Sequence, residues 1–187
     1  MPKPVLQVII GSTRPGRIGP AVAEWFAAQA REQGGFDVEV VDLAAMALPL
    51  FDEPNHPRLQ RYTHEHTKRW SETVLRGDAY VFVMPEYNYG INGALKNAID
   101  YLNVEWHHKP VSFVSYGGVS GGLRAVQMLK QVVTALKMVP VQAAVTVPMV
   151  TQFVDEGVFT GNQLMTDSAA LVVDELLAMS SALSTLR

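Results

Sequence analysis

Five short runs rich in β-branched and aromatic residues alternate along this chain with five longer amphipathic stretches. That alternation limits the fold more than any other feature. The runs 4–10 (PVLQVII), 36–42 (FDVEVVD), 79–84 (AYVFVM), 110–116 (PVSFVSY) and 140–147 (PVQAAVTV) are mostly continuous in apolar character, as in strands buried on both faces. Residues 19–33, 59–77, 93–103, 121–138 and 163–184 read as helices. Leu95, Ala98, Ile99 and Leu102 recur at helical spacing, as do Val172, Leu176, Met179 and Leu183. Strands and helices in this order predict a parallel sheet covered by helices on both faces.

The 187 residues, 48% hydrophobic and 18% charged, suit a single domain, 1–187, with a sizeable core. Of the two common doubly wound arrangements, five strands fit the flavodoxin-like three-layer sandwich, an α/β fold with a five-stranded parallel sheet of order 2-1-3-4-5. Ligands of such sheets bind beyond the carboxyl ends of the strands, at the switch point between strands 1 and 3. Glycine placement agrees. The loops 11–20, 85–93 and 117–122, after strands 1, 3 and 4, hold nine of the 14 glycines, whereas 43–58, after strand 2, has none.

Several functions are disfavoured at once. A formal charge of −3 gives no general attraction to nucleic acid or anionic membrane, so neither is expected as a partner. No run in the sequence reads as a bilayer span of about 18 apolar residues. The N-terminal run lacks a long apolar segment followed by a small-residue cleavage site, which leads to the expectation of a cytoplasmic protein. With no cysteine, thiol catalysis and Cys-ligated metals drop out, and redox chemistry requires a borrowed cofactor. His64 and His66, two apart in an expected helix, lack the four-residue spacing of a zinc motif. His107 and His108 precede strand 4, at the far end of the sheet. No metal site is expected.

The loop GSTRPGRIGP, 11–20, opens like a P-loop, but Arg17 and Ile18 stand where Lys and Ser/Thr are required. The Gly-x-Gly-x-x-Gly dinucleotide fingerprint also fails on spacing, although Asp42 at the end of strand 2 could mimic its ribose-binding acid. Arg14 and Arg17 flank a helix N-terminus, where cations are disfavoured. Two solvated surface arginines would be tolerable there. A bound anion would offset both dipole and guanidinium charge, with Ser12, Thr13 and the amides near Ile18 and Gly19 completing a monophosphate cradle. In MPEYNYGINGALKNAIDYL, after strand 3, Tyr87 and Tyr89 either offer flat faces to a planar ligand or pack the loop down. In SYGGVSGGLR, Gly117 and Gly118 either expose amides to a heterocycle edge or make a tight turn. Together the three loops match flavin mononucleotide.

GSTRPGR at 11–17, PEYNYGINGALKNAIDYL at 85–102 and SYGGVSGG at 115–122 resemble the NADPH-dependent FMN reductase family, flavodoxin-like enzymes that include quinone, azo and chromate reductases. The resemblance implies FMN as cofactor and NADPH (or NADH) as electron donor. It implies that Ser12, Arg14, Arg17, Ile18 and Gly19 hold the phosphate. Pro85, Glu86, Tyr87 and Asn88 would line the isoalloxazine, and Ser115, Gly117 and Gly118 its pyrimidine side. The chain departs from the family at Arg17-Ile18, where many members carry Ser and a polar residue. A quinone, azo dye, flavin or metal oxyanion is the expected acceptor, reached by ping-pong exchange without a catalytic acid–base residue, because the flavin carries the chemistry. An electron carrier of the flavodoxin type and a non-redox nucleotide-binding module are the alternatives. The apolar segments 43–51 and 148–159 exceed the usual two to six residues between strand and helix, which leads to the expectation of a homodimer or a dimer of dimers.

Overall fold

The computed structural model describes residues 2–187. Its main sheet is formed by β1 (Val5–Ile10), β2 (Asp37–Asp42), β3 (Ala79–Tyr87) and β5 (Pro110–Tyr116), with β6 (Val139–Pro140) and β7 (Val145–Val147) sharing the edge beside β5. The order is β2-β1-β3-β5-β6, and these pairings are all parallel, with Val8 opposite Val40 and Val81, and Phe82 opposite Phe113. With β6 and β7 taken as one broken strand, this is the expected 2-1-3-4-5 arrangement.

Alternation along each strand divides the core between two faces. Leu6, Val8 and Ile10 of β1 and Val81 and Val83 of β3 pack against α1 (Gly19–Gln33) and α6 (Gln163–Leu183). Ile9 of β1 and Tyr80, Phe82 and Met84 of β3 pack against α3 (Glu65–Leu75), α4 (Gly93–Asp100) and α5 (Leu123–Ala135). The result is three layers.

Some expectations change. The strand expected at 140–147 is broken after Val141: the Val139 and Val141 amides donate to the Lys109 and Val111 carbonyls on either side of Pro140, and the chain then leaves the ladder until Val145. In the gap, the Ala143 amide donates to Glu175 of α6, and Ser112 Oγ donates to the Ala143 carbonyl. The helix expected at 59–77 begins only at Glu65, after a 3-10 turn at Pro57–Leu59 and an extended His64. His64 and His66 therefore do not lie on different faces of one helix. Their rings stack 5.2 Å apart beside Asp52, whose Oδ1 is 3.0 Å from His66 Nε2. Among the described residues, no group of three His, Asp or Glu side chains could hold a metal ion.

Two small antiparallel hairpins are additions, β3 with β4 (Gly90–Ile91) and β8 (Val154–Asp155) with β9 (Val158–Phe159). Both turn through consecutive residues at positive φ, Asn88-Tyr89 and Glu156-Gly157, as type I′ turns do. A four-residue helix, α2 (Leu43–Met46), follows β2 directly. The segment Gln163–Leu186 is long and apolar enough to cross a membrane by length and composition, contrary to the sequence expectation. Met165, Ala169, Val172, Val173 and Leu176 nevertheless pack it onto the sheet, the role of a core helix.

Candidate anion and flavin site at the carboxyl end of the sheet

Neighbouring strands β1, β3 and β5 deliver three loops to one end of the sheet. The first runs from Gly11 into α1. Gly19 is required there by close packing. A Cβ on it would sit 2.3 Å from Ser12 Oγ and 2.8 Å from Tyr116 Oη. Ser12 is buried, and its Oγ accepts from the Tyr116 hydroxyl at 3.2 Å. Burial pushes the Tyr116 phenol up to about 12, so it stays a donor at neutral pH.

Above this packed base, α1 begins without help. Ile18 occupies the cap position, and among the described residues no side chain caps the helix and no acid stands in its first turn. Its leading amides are thus left for an anion. The two arginines differ sharply. Arg14 is exposed, touches only the Pro15 carbonyl at 3.4 Å, and meets no carboxylate among the described residues. Arg17 is taken by Asp42, with Nη1 to Oδ1 and Nη2 to Oδ2 both 2.6 Å, and Nη1 also donates to the Ser12 carbonyl at 2.5 Å.

The second loop is the β3–β4 turn. Pro85 is buried opposite Tyr116. The Glu86 side chain, 8% exposed, turns toward α5. Its carboxylate accepts from Ser120 Oγ at 3.0 Å, from the Arg124 amide at 3.0 Å and from Arg124 Nη1 at 2.8 Å. It thereby caps a helix N-terminus. Burial works against its charged form, but these donors outweigh burial and hold the carboxyl below its ordinary 4.5. Tyr87 and Tyr89 are exposed, and the Arg124 guanidinium lies 4.2 Å over the Tyr89 ring. A tyrosine in the left-handed region is costly, so this turn is held by its surroundings.

The third loop follows β5. Ser115 is buried and its Oγ finds no partner among the described residues. The Gly117 amide is not free as expected, since it donates to the Val147 carbonyl at 3.3 Å. Gly118 faces open space, and a Cβ there would meet nothing within 4 Å. Between the second and third loops lies a cavity of about 610 Å³ lined by Glu86, Asn88, Tyr89, Gly118, Ser120 and Arg124.

Sequence reasoning missed four contributors here. Tyr116 and Arg124 stand in plain view but reveal their partners only in three dimensions. Asp42 was noted only as a mimic of the ribose-binding acid in a dinucleotide fingerprint that fails on spacing, and in the structure it binds an arginine 25 residues earlier. Asn92 precedes α4 without capping it. Its amide nitrogen donates to the Gly11 carbonyl at 2.6 Å, and its buried Oδ1 finds no partner among the described residues. An unpaired buried acceptor beside the anion loop suits a hydroxylated ligand chain.

A second cavity, about 530 Å³, opens at the opposite end of the sheet near His107, Lys109 and Arg187. It offers weaker chemistry. The buried Lys109 ammonium, lowered to about 8 by burial, already meets the Val74 and Leu75 carbonyls and the Tyr80 hydroxyl, at 3.2, 3.5 and 2.9 Å. It serves as a cap for α3.

An uncapped helix N-terminus with a free arginine, beside an open cleft at a sheet switch point, defines a flavodoxin-like nucleotide-binding protein. The description of NADPH-dependent FMN reductases matches residues 5–152. An NAD(P)H-dependent FMN reductase of Schizosaccharomyces pombe is 44% identical over 149 residues, 78% of this chain and 74% of the relative. A quinone reductase of Pseudomonas putida is 32% identical over 137 residues, 70% of each chain. The fold is shared with a flavoenzyme NAD(P)H:(acceptor) oxidoreductase from Paracoccus denitrificans, at a TM-score of 0.76 and 20% identity, over 96% of this chain and 98% of that one. The chain belongs to the NADPH-dependent FMN reductase family, and its cofactors are those of the family, FMN and a nicotinamide nucleotide.

Proposed function

We propose that the chain transfers electrons from NAD(P)H to a quinone, azo, flavin or metal-oxyanion acceptor by ping-pong exchange. The observation that carries the reading is the uncapped start of α1 with Arg14 free beside it, one loop away from an open cavity. The amides near Ile18 and Gly19 and the Arg14 guanidinium would hold the phosphate of FMN. Ser12 and Gly19 would support that cradle from below, because both are packed against Tyr116. Arg17 would steady the loop through Asp42. Pro85, Glu86, Tyr87 and Asn88 would border the isoalloxazine on one side, and Ser115, Gly117 and Gly118 on the other.

Bound there, FMN would supply the two-electron redox chemistry. The protein contributes position and electrostatics. Arg124, held by Glu86 and covering Tyr89, places a cation on the open side of the cleft, where an anionic donor approaches. Donor and acceptor share that opening, so they take turns. Initial rates against NADPH at several fixed quinone concentrations should give parallel double-reciprocal lines. Intersecting lines would require both to bind together and would contradict the shared opening.

The chain is also proposed to work as a homodimer, or a dimer of dimers. Leu50 is 85% exposed at the end of the 43–51 segment, and Val158 is 64% exposed on the 148–159 segment. Two aromatics of the second segment fold back: Phe159 is buried against Trp25, and Phe153 packs on Phe159. Phe153 therefore serves its own domain, and Leu50, Phe51, Met149 and Val158, all exposed, remain to meet a partner.

A further inference from the structure

We propose that Asp42 is a positioning residue of the anion loop, converting Arg17 from a phosphate ligand into a strut. Arg14 and the α1 amides are then left to answer the charge. The proposal rests on the reading that FMN phosphate sits at the start of α1.

Asp42 ends β2 directly beside Ile10, the last residue of β1, so its carboxylate stands at the root of the loop. Each oxygen has a set task. Oδ2 accepts Arg17 Nη2, while Oδ1 accepts both Arg17 Nη1 and the Ala44 amide that starts α2. From that anchor, the guanidinium reaches the Ser12 carbonyl, and the Arg17 amide closes a turn on the Arg14 carbonyl at 3.2 Å. One ion pair thus fixes both ends of the segment 12–17 against β2. It is bidentate and mostly shielded, with the arginine and aspartate side chains 17% and 30% exposed. Its two charges cancel locally, which removes Arg17 from the charge available to a dianion.

Simple electrostatics and positioning make opposite forecasts for Asp42→Asn. If Asp42 were only a nearby negative charge, neutralising it would tighten the binding of a phosphate. As the anchor of the strut, its loss weakens phosphate binding even though a repulsive charge is removed. Asparagine keeps the cap on Ala44, so α2 is preserved and the substitution isolates the ion pair.

The test titrates apo-protein with FMN and, separately, with riboflavin, following the quenching of flavin fluorescence. The ratio of the two affinities reports the phosphate contact and not the ring. Asp42→Asn and Arg17→Lys should each reduce that ratio about tenfold, the scale of one lost charge-assisted contact, with riboflavin affinity nearly unchanged. The pair should act as a unit, so Asp42→Asn with Arg17→Ala should be no worse than Asp42→Asn alone. Arg14→Ala should reduce the ratio by at least as much. Thermal melts of the apo-proteins monitor folding, and riboflavin affinity serves as an internal control for an intact cleft. FMN binding that is unchanged or tighter in Asp42→Asn would overturn the proposal. Equal affinity of the unaltered protein for FMN and riboflavin would remove the phosphate site itself, and the strut with it.

Discussion

Glu86 shows how far a side chain's task can lie from the place its motif suggests. It stands in the loop that borders the cleft, yet its carboxylate is spent on Ser120, on Arg124 and on the first amides of α5. Its folded-state value is depressed, so it contributes stability above the ordinary value of 4.5 and loses that contribution as pH falls through the folded value. Denaturant titrations should find Glu86→Gln less stable than the unaltered protein at pH 7, by about 1–3 kcal/mol. The gap should close steadily below about pH 4. A gap independent of pH would mean that the charge of Glu86 does not matter. The residues of this end were legible as types: a glycine loop with two arginines, a tyrosine turn and a Gly-Gly pair. Their pairings were not, because Arg17 finds Asp42, and Tyr116 finds Ser12, across the sheet.

At the scale of elements, strand runs were legible because burial on both faces makes them continuously apolar. The helix ends were less so. Residues 59–64 carry helix-compatible side chains, but Pro57 opens only a 3-10 turn and His64 is extended, so α3 waits for Glu65. The break between β6 and β7 left no mark in the run, since Pro140 lies within β6 and the Val141 amide still pairs with β5. The sequence run shows β-forming character on both sides, and what divides it is the diversion of Ala143 to Ser112 and Glu175. The break leaves Val141–Ala144 held by few backbone bonds at a sheet edge, whereas β1, β3 and β5 are paired on both sides. Hydrogen exchange should therefore find the amides of β1, β3 and β5 among the slowest, and those around Gln142 much faster. Uniform protection across the edge would show the break to be closed in solution.

For the whole molecule, alternation of strands and helices determined the architecture and hence the end of the sheet at which a ligand is expected. The family resemblance agreed with the fold it implied. Assembly was harder to read, because apolar loop residues serve equally to cover their own core and to meet a partner. Phe153 and Phe159 do the first. Sedimentation equilibrium at micromolar concentration should give at least twice the mass of one chain. Leu50→Asp or Val158→Asp should lower that mass without changing the monomer's fold, since both side chains are exposed.

The central claim is that the three-loop end of the sheet holds FMN where a nicotinamide nucleotide can reduce it. The most direct measurement is the visible spectrum of the FMN-reconstituted protein before and after anaerobic addition of NADPH. Bound flavin absorbance should bleach on mixing and return when a quinone is added. Protein that retains no FMN, or retains it without bleaching, would contradict the central claim.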